Sequence, residues 1–491
     1  MNFMKLSFLF LSICILFSCK SKLDGIVKAN AAPETYTVVD TIIRHGTNSF
    51  NSQVEISWWS NDPDGFVNGY EFTFDSIITS NTVWNFTKKQ DSIFLLSTPP
   101  GHDTVRFQFY VRAIDNLGLK DLTPAHLSYP VKNSPPTVSF LPGANNPLKT
   151  FPVLKFYFEG SDPDGFANLN RFEICMNDST NTPYPIAVSA TSFTIEANNF
   201  LSNTPLSSVY LNSSLVALPN PINGLILNDT NKIFIRAVDN ADAKSNWVSS
   251  YSLYVKKPTS TILLVDGYPT NGAAVENFYA TNLIANSFPV FDTMQIFQQA
   301  GGHYTQLAPD NLTQSRIFKL FNTIIWFSND AYNSLSIGQR TLNDFFNNNG
   351  KMLMAVYIST SFDPQSTFLD FTPIASLEIP NDTTLLLADT STVFAMQSGY
   401  SSLKSNFYIS TVRPFNLVNG ATKLYDGNLI AKDNITLSLS PWTGISTVIA
   451  KKQNGTGQTN FVISTLELQK LDGNANISAF FNKILHNEFG L

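Results

Sequence analysis

The sequence predicts a multidomain protein in which two all-β sandwiches are followed by an α/β doubly wound domain. Its 491 residues suffice for about three domains of ~150 residues each. Two observations carry this prediction. The segment Asp-Pro-Asp-Gly-Phe occurs at residue 62 and again at residue 162, each time behind an alternating apolar run. After residue 258 the alternation gives way to continuous apolar segments separated by helical patterns, which is typical of buried parallel strands.

The repeated segment marks the same structural unit twice. The apolar positions of the preceding strand coincide between the copies: Val54, Ile56 and Trp58 in the first, and Leu154, Phe156 and Phe158 in the second. Side chains two residues apart lie on one face of a strand, so each set predicts one buried face. Phe72 and Phe172 match in a second strand after the turn. We therefore expect two strands joined by a fixed turn, a hairpin, in each copy.

A second alternating strand closes each unit, and it reads FQFYVRAIDNLG in the first copy and KIFIRAVDNADA in the second. Turn-rich segments separate such strands, as in antiparallel sandwiches. The pattern resembles the fibronectin type III-like modules of the immunoglobulin fold that are common on bacterial surfaces. The resemblance implies two such sandwiches, at residues 36–132 and 133–257. The longer second unit predicts an insertion near residues 200–221.

The N-terminus predicts export and lipid attachment. The apolar stretch at residues 6–17 is too short to span a bilayer and is typical of a secretory signal. Leu16-Phe17-Ser18-Cys19 resembles the lipobox of bacterial lipoproteins, which implies that Cys19 becomes the lipidated N-terminus. Residues 1–18 are then the signal peptide and residues 19–35 a linker. The lipid would hold the protein at the outer membrane, on its periplasmic or cell-surface face; the alternative is an ordinary signal peptide.

Asp followed by Ser or Thr recurs along the chain, as at Thr41, Ser76 and Thr104. The pattern resembles the O-glycosylation sequence of exported Bacteroidetes proteins. A turn Asp leading into a strand, which a β-rich chain produces often, also explains it. With the lipobox and the sandwich modules, the overall resemblance is to a surface lipoprotein of the Bacteroidetes type.

The chain has three cysteines, and two of them, Cys14 and Cys19, fall in the signal and anchor region. The mature chain therefore has no pair for an intramolecular disulfide. Cys175 lies in the alternating segment RFEICMND. We expect it to be a buried small hydrophobic residue rather than a reactive thiol.

Residues 258–491 follow a different pattern. STILLVDG and NTIIWFSND are continuous apolar strands, and the segment between them begins with helical spacing. Ser336 and Gln339 form a capping-box pattern that predicts the start of a helix, and Gly350 predicts its end. The strands STVIAKK and TNFVIST and an amphipathic terminal helix complete the region. Strands that alternate with helices favour a doubly wound α/β domain.

This region resembles the class I glutamine amidotransferase-like fold in its flavodoxin-like form. The matching parts are the opening strand that ends in Asp266, the FNTIIWF strand, and Gly350 leading into the next strand. Enzymes of that family use a Cys on a strand-to-helix elbow, activated by a His. Here the corresponding strand ends in Ser359 and supplies no Cys, and His486 lies in the terminal helix at a position expected to be exposed. The resemblance therefore implies the fold without the catalytic Cys, and we expect no catalytic residues.

Six carboxylates accompany the repeated turns: Asp62, Asp64 and Asp115 in the first unit, and Asp162, Asp164 and Asp239 in the second. Ca²⁺ binds hard oxygen ligands of this kind, so calcium is a candidate cofactor. Asp, Pro and Gly in this order also favour a type I turn without any metal. No full ligand set with EF-hand-like spacing occurs in the sequence, which favours the turn.

Charge and composition restrict the partners. The net charge is −6, and no cluster of Lys and Arg is suited to tracking phosphates, so we do not expect a nucleic acid partner. The predicted function is that of a non-catalytic lipoprotein whose sandwiches act as spacers or binding modules and display the α/β domain to a surface polymer or a protein. The alternative is a secreted hydrolase of a glycan or peptide with accessory sandwiches. That alternative needs a nucleophile and a base at the carboxyl ends of the central strands.

Overall fold

The computed structural model describes residues 28–42, 53–96, 102, 104–270, 272–297, 304–360 and 367–491. They fall into two compact units. The first comprises the residues through 134 together with 240–243, and the second comprises residues 135–239 and 244–491. The predicted signal peptide and Cys19 lie outside the described residues.

The first unit holds one sandwich of two antiparallel sheets. Its strands are β1 (Glu34–Ile42), β2 (Gln53–Asn61), β3 (Val67–Thr73), β4 (Asn85–Thr87), β5 (Asp91–Leu95), β6 (Thr104–Asp115) and β7 (Ala125–Lys132). The strand order is β1-β2-β5 in one sheet and β4-β3-β6-β7 in the other. The sandwich prediction for this part of the chain is confirmed.

The predicted face of β2 forms the core of this sandwich. Val54, Ile56 and Trp58 are each at most 1% exposed. Trp58 packs on Phe109 of the opposite sheet, with ring centroids 5.7 Å apart, and its indole N–H donates to the carbonyl oxygen of Lys89 at 2.9 Å. A buried Trp needs such a partner because an unsatisfied N–H would cost free energy.

The second unit opens with another sandwich. Its strands are β8 (Thr137–Leu141), β9 (Lys149–Thr150), β10 (Val153–Ser161), β11 (Leu169–Met176), β12 (Tyr184–Ala187), β13 (Ser192–Ala197), β14 (Ser207–Leu211), β15 (Asp229–Asn231), β16 (Ile233–Asp239), β17 (Val248–Ser249) and β18 (Leu253–Val255). The two main sheets have the orders β14-β13-β10-β8 and β12-β11-β16-β17. Phe158 of β10 meets Phe172 of β11 across the core at 4.9 Å between ring centroids. Cys175 is 2% exposed, as predicted.

The hairpin prediction is wrong in both sandwiches. The Asp-Pro-Asp-Gly turn joins β2 to β3 and β10 to β11, and in each case the two strands belong to opposite sheets. Period-two alternation identifies which face of a strand is buried, but two strands that face one core from opposite sides show the same alternation as two paired strands. The turn therefore carries the chain from one sheet to the other.

A nine-stranded mixed sheet organises the C-terminal region. Its strands include β19 (Ile262–Asp266), β20 (Asp292–Gln295), β21 (Thr323–Ser328), β22 (Lys351–Val356), β25 (Thr392–Ala395), β26 (Leu403–Lys404), β28 (Thr422–Gly427), β31 (Thr447–Gln453) and β32 (Thr459–Ser464). The order is β20-β19-β21-β22-β32-β31-β28-β25-β26. The pairings from β20 through β32 are parallel, and those from β32 through β26 are antiparallel.

Smaller sheets and the helices complete this region. The remaining strands are β23 (Ile374–Leu377), β24 (Thr383–Leu386), β27 (Phe415–Leu417), β29 (Ile430–Asp433) and β30 (Leu439–Pro441). The α-helices are α1 (Gly272–Ala285), α2 (Asn311–Phe318), α3 (Ala331–Thr341), α4 (Asn343–Asn347) and α5 (Ile477–Asn482). The 3₁₀ turns are Phe166–Asn168, Thr367–Leu369 and Leu468–Lys470, and a π-helix covers Lys483–Glu488.

The doubly wound prediction is not supported for residues 258–491, because the region is mainly strand. The buried strands β19, β21 and β22 and the late pair β31 and β32 occur where the sequence predicts them. Eight short strands between residues 374 and 441, β23 through β30, were not predicted. β25, β26 and β28 extend the large sheet in antiparallel fashion, and the other five form two small antiparallel sheets, β23-β27 and β24-β29-β30, instead of alternating with helices.

The predicted capping box at Ser336 is also wrong. The helix starts earlier, at α3, where the carboxylate of Asp330 accepts a hydrogen bond from the backbone N–H of Asn333. Asp satisfies a helix N–H group at the N-cap as well as Ser does. The sequence therefore offers two possible N-caps, Asp330 and Ser336, and the helix begins at the earlier one. Gly350 does follow the helical segment and begins the approach to β22.

Side chains of the second sandwich enter the core of the C-terminal region. Phe151 and Val153 pack in the same hydrophobic cluster as Ile317 and Trp326. Phe151 lies 5.0 Å from Phe321 between ring centroids. Because one core is shared, the second sandwich and the C-terminal region fold against each other as a continuous body within the second unit.

Candidate functional site

The carboxylate of Asp115 organises the loop after β6 in the first sandwich. It accepts hydrogen bonds from the backbone N–H groups of Leu117 and Leu119, both at 2.8 Å, and from the side-chain amide of Asn30. Asp115 is fully buried, and although this burial acts to raise its pKa, the hydrogen bonds lower the pKa below its ordinary value. Its role in this structure is that of an ionised acceptor that fixes neighbouring backbone.

The two carboxylates of the first turn are less enclosed. Asp62 is half-buried and Asp64 is exposed. Asp64 accepts from the backbone N–H of Ala31 at 3.0 Å, whereas the Oδ2 atom of Asp62 is buried with no hydrogen-bond partner. A Cβ on Gly65 would lie 2.3 Å from Oδ1 of Asn116, so a larger residue at this position would have to displace that side chain.

The second turn is buried. Asp162, Asp164 and Asp239 are 8%, 2% and 0% exposed. Oδ1 of Asp162 accepts from the backbone N–H of Asp164 at 2.7 Å, and its Oδ2 has no hydrogen-bond partner. Burial raises the pKa of Asp162 to about 6, opposed by that hydrogen bond and reinforced by the charges of Asp164 and Asp239. The structure thus brings these three carboxylates together.

The arrangement of the carboxylates bears on the calcium prediction. Among the described residues, no group of three or more His, Cys, Asp or Glu side chains is arranged to hold a metal ion. Calcium at Asp62, Asp64 and Asp115, or at Asp162, Asp164 and Asp239, stays a prediction.

The carboxyl ends of β19 and β32 carry a polar network, in which Oε1 of Gln469 is buried with no hydrogen-bond partner. The hydroxyl of Tyr268 donates to Oε1 of Glu467 at 2.9 Å. The side-chain amide of Gln469 donates to the Tyr268 hydroxyl at 3.1 Å, and Lys470 forms an ion pair with Glu467. Tyr268 and Glu467 are 5% and 6% exposed. Burial, and then the Glu467 carboxylate, raises the pKa of Tyr268, so it stays a neutral donor.

Asp266 ends β19 beside this network. Its Oδ1 accepts from the backbone N–H of Tyr268 at 2.8 Å. Its Oδ2 is buried with no hydrogen-bond partner and lies so close to α1 that a Cβ on Gly272 would come within 2.4 Å of it. Burial raises the pKa of Asp266 to about 6, and Glu276 adds to the rise. A carboxyl with this pKa can transfer protons near neutrality. At 1% exposure, however, a substrate could reach it only if the surrounding residues moved.

The two residues considered for a catalytic dyad lie in different surroundings. Ser359 is exposed after β22. His486 is half-buried rather than exposed, so that prediction is wrong. Its ring stacks on Phe288 at 5.2 Å between centroids, and its two nitrogens lie 3.0 and 3.1 Å from the carbonyl oxygens of Leu491 and Asn286. These contacts give the imidazole a packing role at the end of the chain.

A cavity of about 760 Å³ lies at the other edge of the sheet. Asn347 lies just before β22 and Asn460 lies at the start of β32, so the cavity is at the amino ends of these parallel strands. We call it the amide groove because of its side-chain amides: Gln339, Asn343, Asn347, Asn349, Gln453, Asn454 and Asn460. Phe346, Phe371 and Phe461 also line it. Its size is that of a small-molecule site.

The sequence analysis missed the amide groove. Its signals are FFNNNG before β22 and KKQNGTGQTN between β31 and β32, where amides follow one another beside aromatic or strand residues. Asn and Gly are also typical of turns, so each segment alone predicts only a loop. The two segments form one site only because β22 and β32 are neighbours in the sheet.

No protein-family profile matches the chain, and no curated protein does. Three solved structures are similar to parts of it. The PKD1 domain of Vibrio anguillarum Epp has 14% identity and TM-score 0.15, over 21% of this chain and 98% of that one. The Clostridium thermocellum CbhA fibronectin(III)-like modules have 15% identity and TM-score 0.16, over 45% and 94%. The chicken interferon gamma receptor alpha chain has 10% identity and TM-score 0.19, over 46% and 100%.

These likenesses carry no argument about function at such TM-scores, and the sandwich assignment rests on the sheet topology of this chain. They give no support to a lipoprotein or to an amidotransferase-like domain. In the part of the chain that the structure describes, no helix combines the length and the apolar character needed to cross a membrane.

Proposed function

We propose that the chain is an outer-membrane-anchored, non-catalytic lipoprotein whose C-terminal region recognises a surface polymer or a protein. The β-sandwiches act as spacers or binding modules that display this region. The observation that carries the proposal is the position of the amide groove at the amino edge of the parallel strands. In open α/β sheets, substrates and other ligands bind at the opposite, carboxyl edge, so the groove does not occupy the usual position of a catalytic centre.

Most of the carboxyl edge is bonded internally. Tyr268, Glu467 and Gln469 bond to one another there, and Oδ1 of Asp266 accepts from the backbone N–H of Tyr268. Polar groups that satisfy each other stabilise the fold, which supports the non-catalytic proposal. Oδ2 of Asp266 and Oε1 of Gln469 are buried with no hydrogen-bond partner, and these two atoms support the hydrolase alternative.

Polar contacts between the second sandwich and α2 support the display role within the second unit. Arg316 of α2 forms an ion pair with Glu196 of β13 at 2.6 Å, and its guanidinium lies 3.7 Å above the ring of Tyr210. The hydroxyl of Tyr157 donates to Asp310, the N-cap of α2, at 2.8 Å. Together with the shared core, these contacts fix the orientation of the C-terminal region on the second sandwich, as a spacer must.

The hydrolase alternative is favoured by Asp266, a buried carboxyl whose Oδ2 has no hydrogen-bond partner and whose pKa is raised to about 6. Full-length chain should show no turnover of nitrophenyl esters, anilides or glycosides above a heat-denatured sample. Turnover that disappears in Asp266→Asn or Ser359→Ala would overturn the non-catalytic proposal and establish the alternative.

Lipid attachment is tested separately. Cys19→Ala should move the protein from the membrane fraction to the soluble fraction of the producing cells, because no acyl chain can then be added. Ser18→Ala, which keeps a small residue before the cysteine, should leave it in the membrane fraction. Unchanged membrane association of the Cys19 variant would rule out the lipid anchor.

A further inference from the structure

We propose that the amide groove binds a neutral glycan; this rests on the proposed recognition function and names its ligand class. A primary amide offers two N–H donors and a carbonyl acceptor without any net charge. A sugar hydroxyl is both donor and acceptor, so an amide can pair with it in either direction. A surface rich in amides therefore matches a polyol.

The amides of the groove are available for a ligand. Among the described residues, the side chains of Asn343, Asn347 and Asn460 have no hydrogen-bond partner. Gln339 and Asn454 serve the groove wall instead: Gln339 donates to Thr367 at 2.7 Å, and Asn454 accepts from the backbone N–H of Thr456 at 3.0 Å. Fixed wall residues beside unpaired amides give a preformed surface rather than a loop that must be ordered on binding.

Aromatic rings form one wall of the same cavity. Phe461 is 1% exposed, with Phe346 at 5.3 Å and Phe371 at 5.8 Å between ring centroids, and both outer rings are half-buried. The face of an aromatic ring carries partial negative charge. The C–H groups on one face of a sugar ring carry partial positive charge because oxygen atoms surround them. The half-buried rings of Phe346 and Phe371 are therefore suited to contact the C–H face of a pyranose, while the neighbouring amides pair with its hydroxyl groups.

Charge and composition disfavour other ligand classes. The only charged side chains that line the groove within the described residues are those of Lys452 and Asp370, of opposite sign. A nucleic acid or an anionic glycan requires several cations. Protein interfaces draw most of their affinity from Trp, Tyr and Arg, and the described groove lining includes none of these.

The experiment is affinity electrophoresis of the full chain in gels that contain laminarin, dextran, mannan or, as an anionic probe, polygalacturonate. We expect at least one neutral polysaccharide to retard the chain. Asn347→Ala combined with Asn460→Ala should weaken retardation about tenfold, since each lost hydrogen bond costs roughly three- to fivefold in affinity. Gln453→Ala should weaken retardation less than the double variant does. Because Gln453 is exposed at the end of β31, this substitution should not affect folding. Asn348→Ala, exposed but outside the groove, is the matched control.

No retardation by any neutral polysaccharide, retardation by polygalacturonate alone, or retardation unchanged in both groove variants would overturn the proposal. Reducing ends are measured in the same samples. Their release, abolished by Asp266→Asn, would overturn the non-catalytic function while leaving the glycan assignment in place. Absence of both retardation and release would remove the glycan and leave the recognition proposal with a different ligand.

Discussion

The two Asp-Pro-Asp-Gly turns share their sequence but differ in their surroundings. In the first sandwich Asp62 is half-buried and its neighbour Asp64 is exposed, whereas Asp162 in the second is 8% exposed and has a pKa of about 6. Gly165 adopts a φ of 105°, which favours Gly, whereas a Cβ on Gly65 would have to displace the side chain of Asn116. The motif therefore determines a crossing between sheets, and the local packing determines the electrostatics of its carboxylates.

A second arrangement is common to both sandwiches. Glu71 pairs with Arg112 at 2.7 Å, and Arg112 lies 4.0 Å above the ring of Trp84. Glu173 pairs with Arg236 at 2.6 Å, and Arg236 lies 4.4 Å above the ring of Trp247. Trp84 precedes β4, but Trp247 follows β16, so the same ion pair and cation–π contact are built from different parts of the chain.

The largest expected effect is the loss of stability when a core aromatic residue of either sandwich is removed. Trp58→Ala and Phe158→Ala should each lower the free energy of unfolding by about 3–5 kcal/mol, because each removes a fully buried aromatic side chain. Since they lie in different compact units, calorimetry of the full chain should show each variant lowering a different transition. Trp59→Ala is the control, since Trp59 is 48% exposed. A shift of both transitions by Trp58→Ala would mean that the units unfold together.

The next effect compares the two ion pairs. Glu173→Gln should lower the free energy of unfolding by about 1–3 kcal/mol, since it removes charge-assisted hydrogen bonds to Arg171 and Arg236. Glu71→Gln should cost less, because the side chain is 15% exposed against 9% for Glu173 and one of its partners, Lys120, is 42% exposed. Urea unfolding measures both, with the exposed Glu159→Gln as control. Equal losses would contradict the role assigned to burial.

A smaller effect tests the second turn by pH. The pKa of Asp162 in the folded chain, about 6, lies above its ordinary 3.8, so the folded state keeps a proton that the unfolded state has lost between these values. The contribution of Asp162 to stability therefore falls as pH rises through about 4 to 6. Asp162→Asn should raise the free energy of unfolding at pH 7 by about 1–2 kcal/mol and flatten this part of the profile.

The amide oxygen of Asn can still accept the hydrogen bond from Asp164, so the substitution removes only the charge. Asp62→Asn, made in the half-buried turn, is the matched control and should change the free energy of unfolding at pH 7 by no more than about 0.5 kcal/mol. Destabilisation by Asp162→Asn would show that a partner for the charge is present in solution.

The smallest expected effect concerns calcium. Millimolar calcium should leave both transitions where they are in EDTA, because the turn alone accounts for the motif and the described residues offer no three-ligand group. Asp62→Ala and Asp162→Ala should be equally insensitive to calcium. A rise in the melting temperature that Asp162→Ala abolishes would establish the metal site in the second turn.

Sequence patterns located the buried faces well because period-two alternation is a local property. Val54 and Phe156 lie in the core, as their spacing predicts. The partner of a strand is a non-local property, so the hairpins at Asp62 and Asp162 were predicted wrongly. The short strands after residue 374 carry too few residues for a period to show. The amide groove escaped for the same reason, since Asn347 and Asn460 meet only through the pairing of β22 with β32.

The entry of Phe151 and Val153 into the C-terminal core bears on how fragments of this chain can be prepared. Both are at most 3% exposed, and they precede the end of the second sandwich by about one hundred residues of chain. A fragment that begins at residue 258 would lack both side chains and expose the apolar surface of Phe321 that Phe151 covers. Expression from residue 135 onward keeps this surface covered, and a soluble preparation of the region should start there.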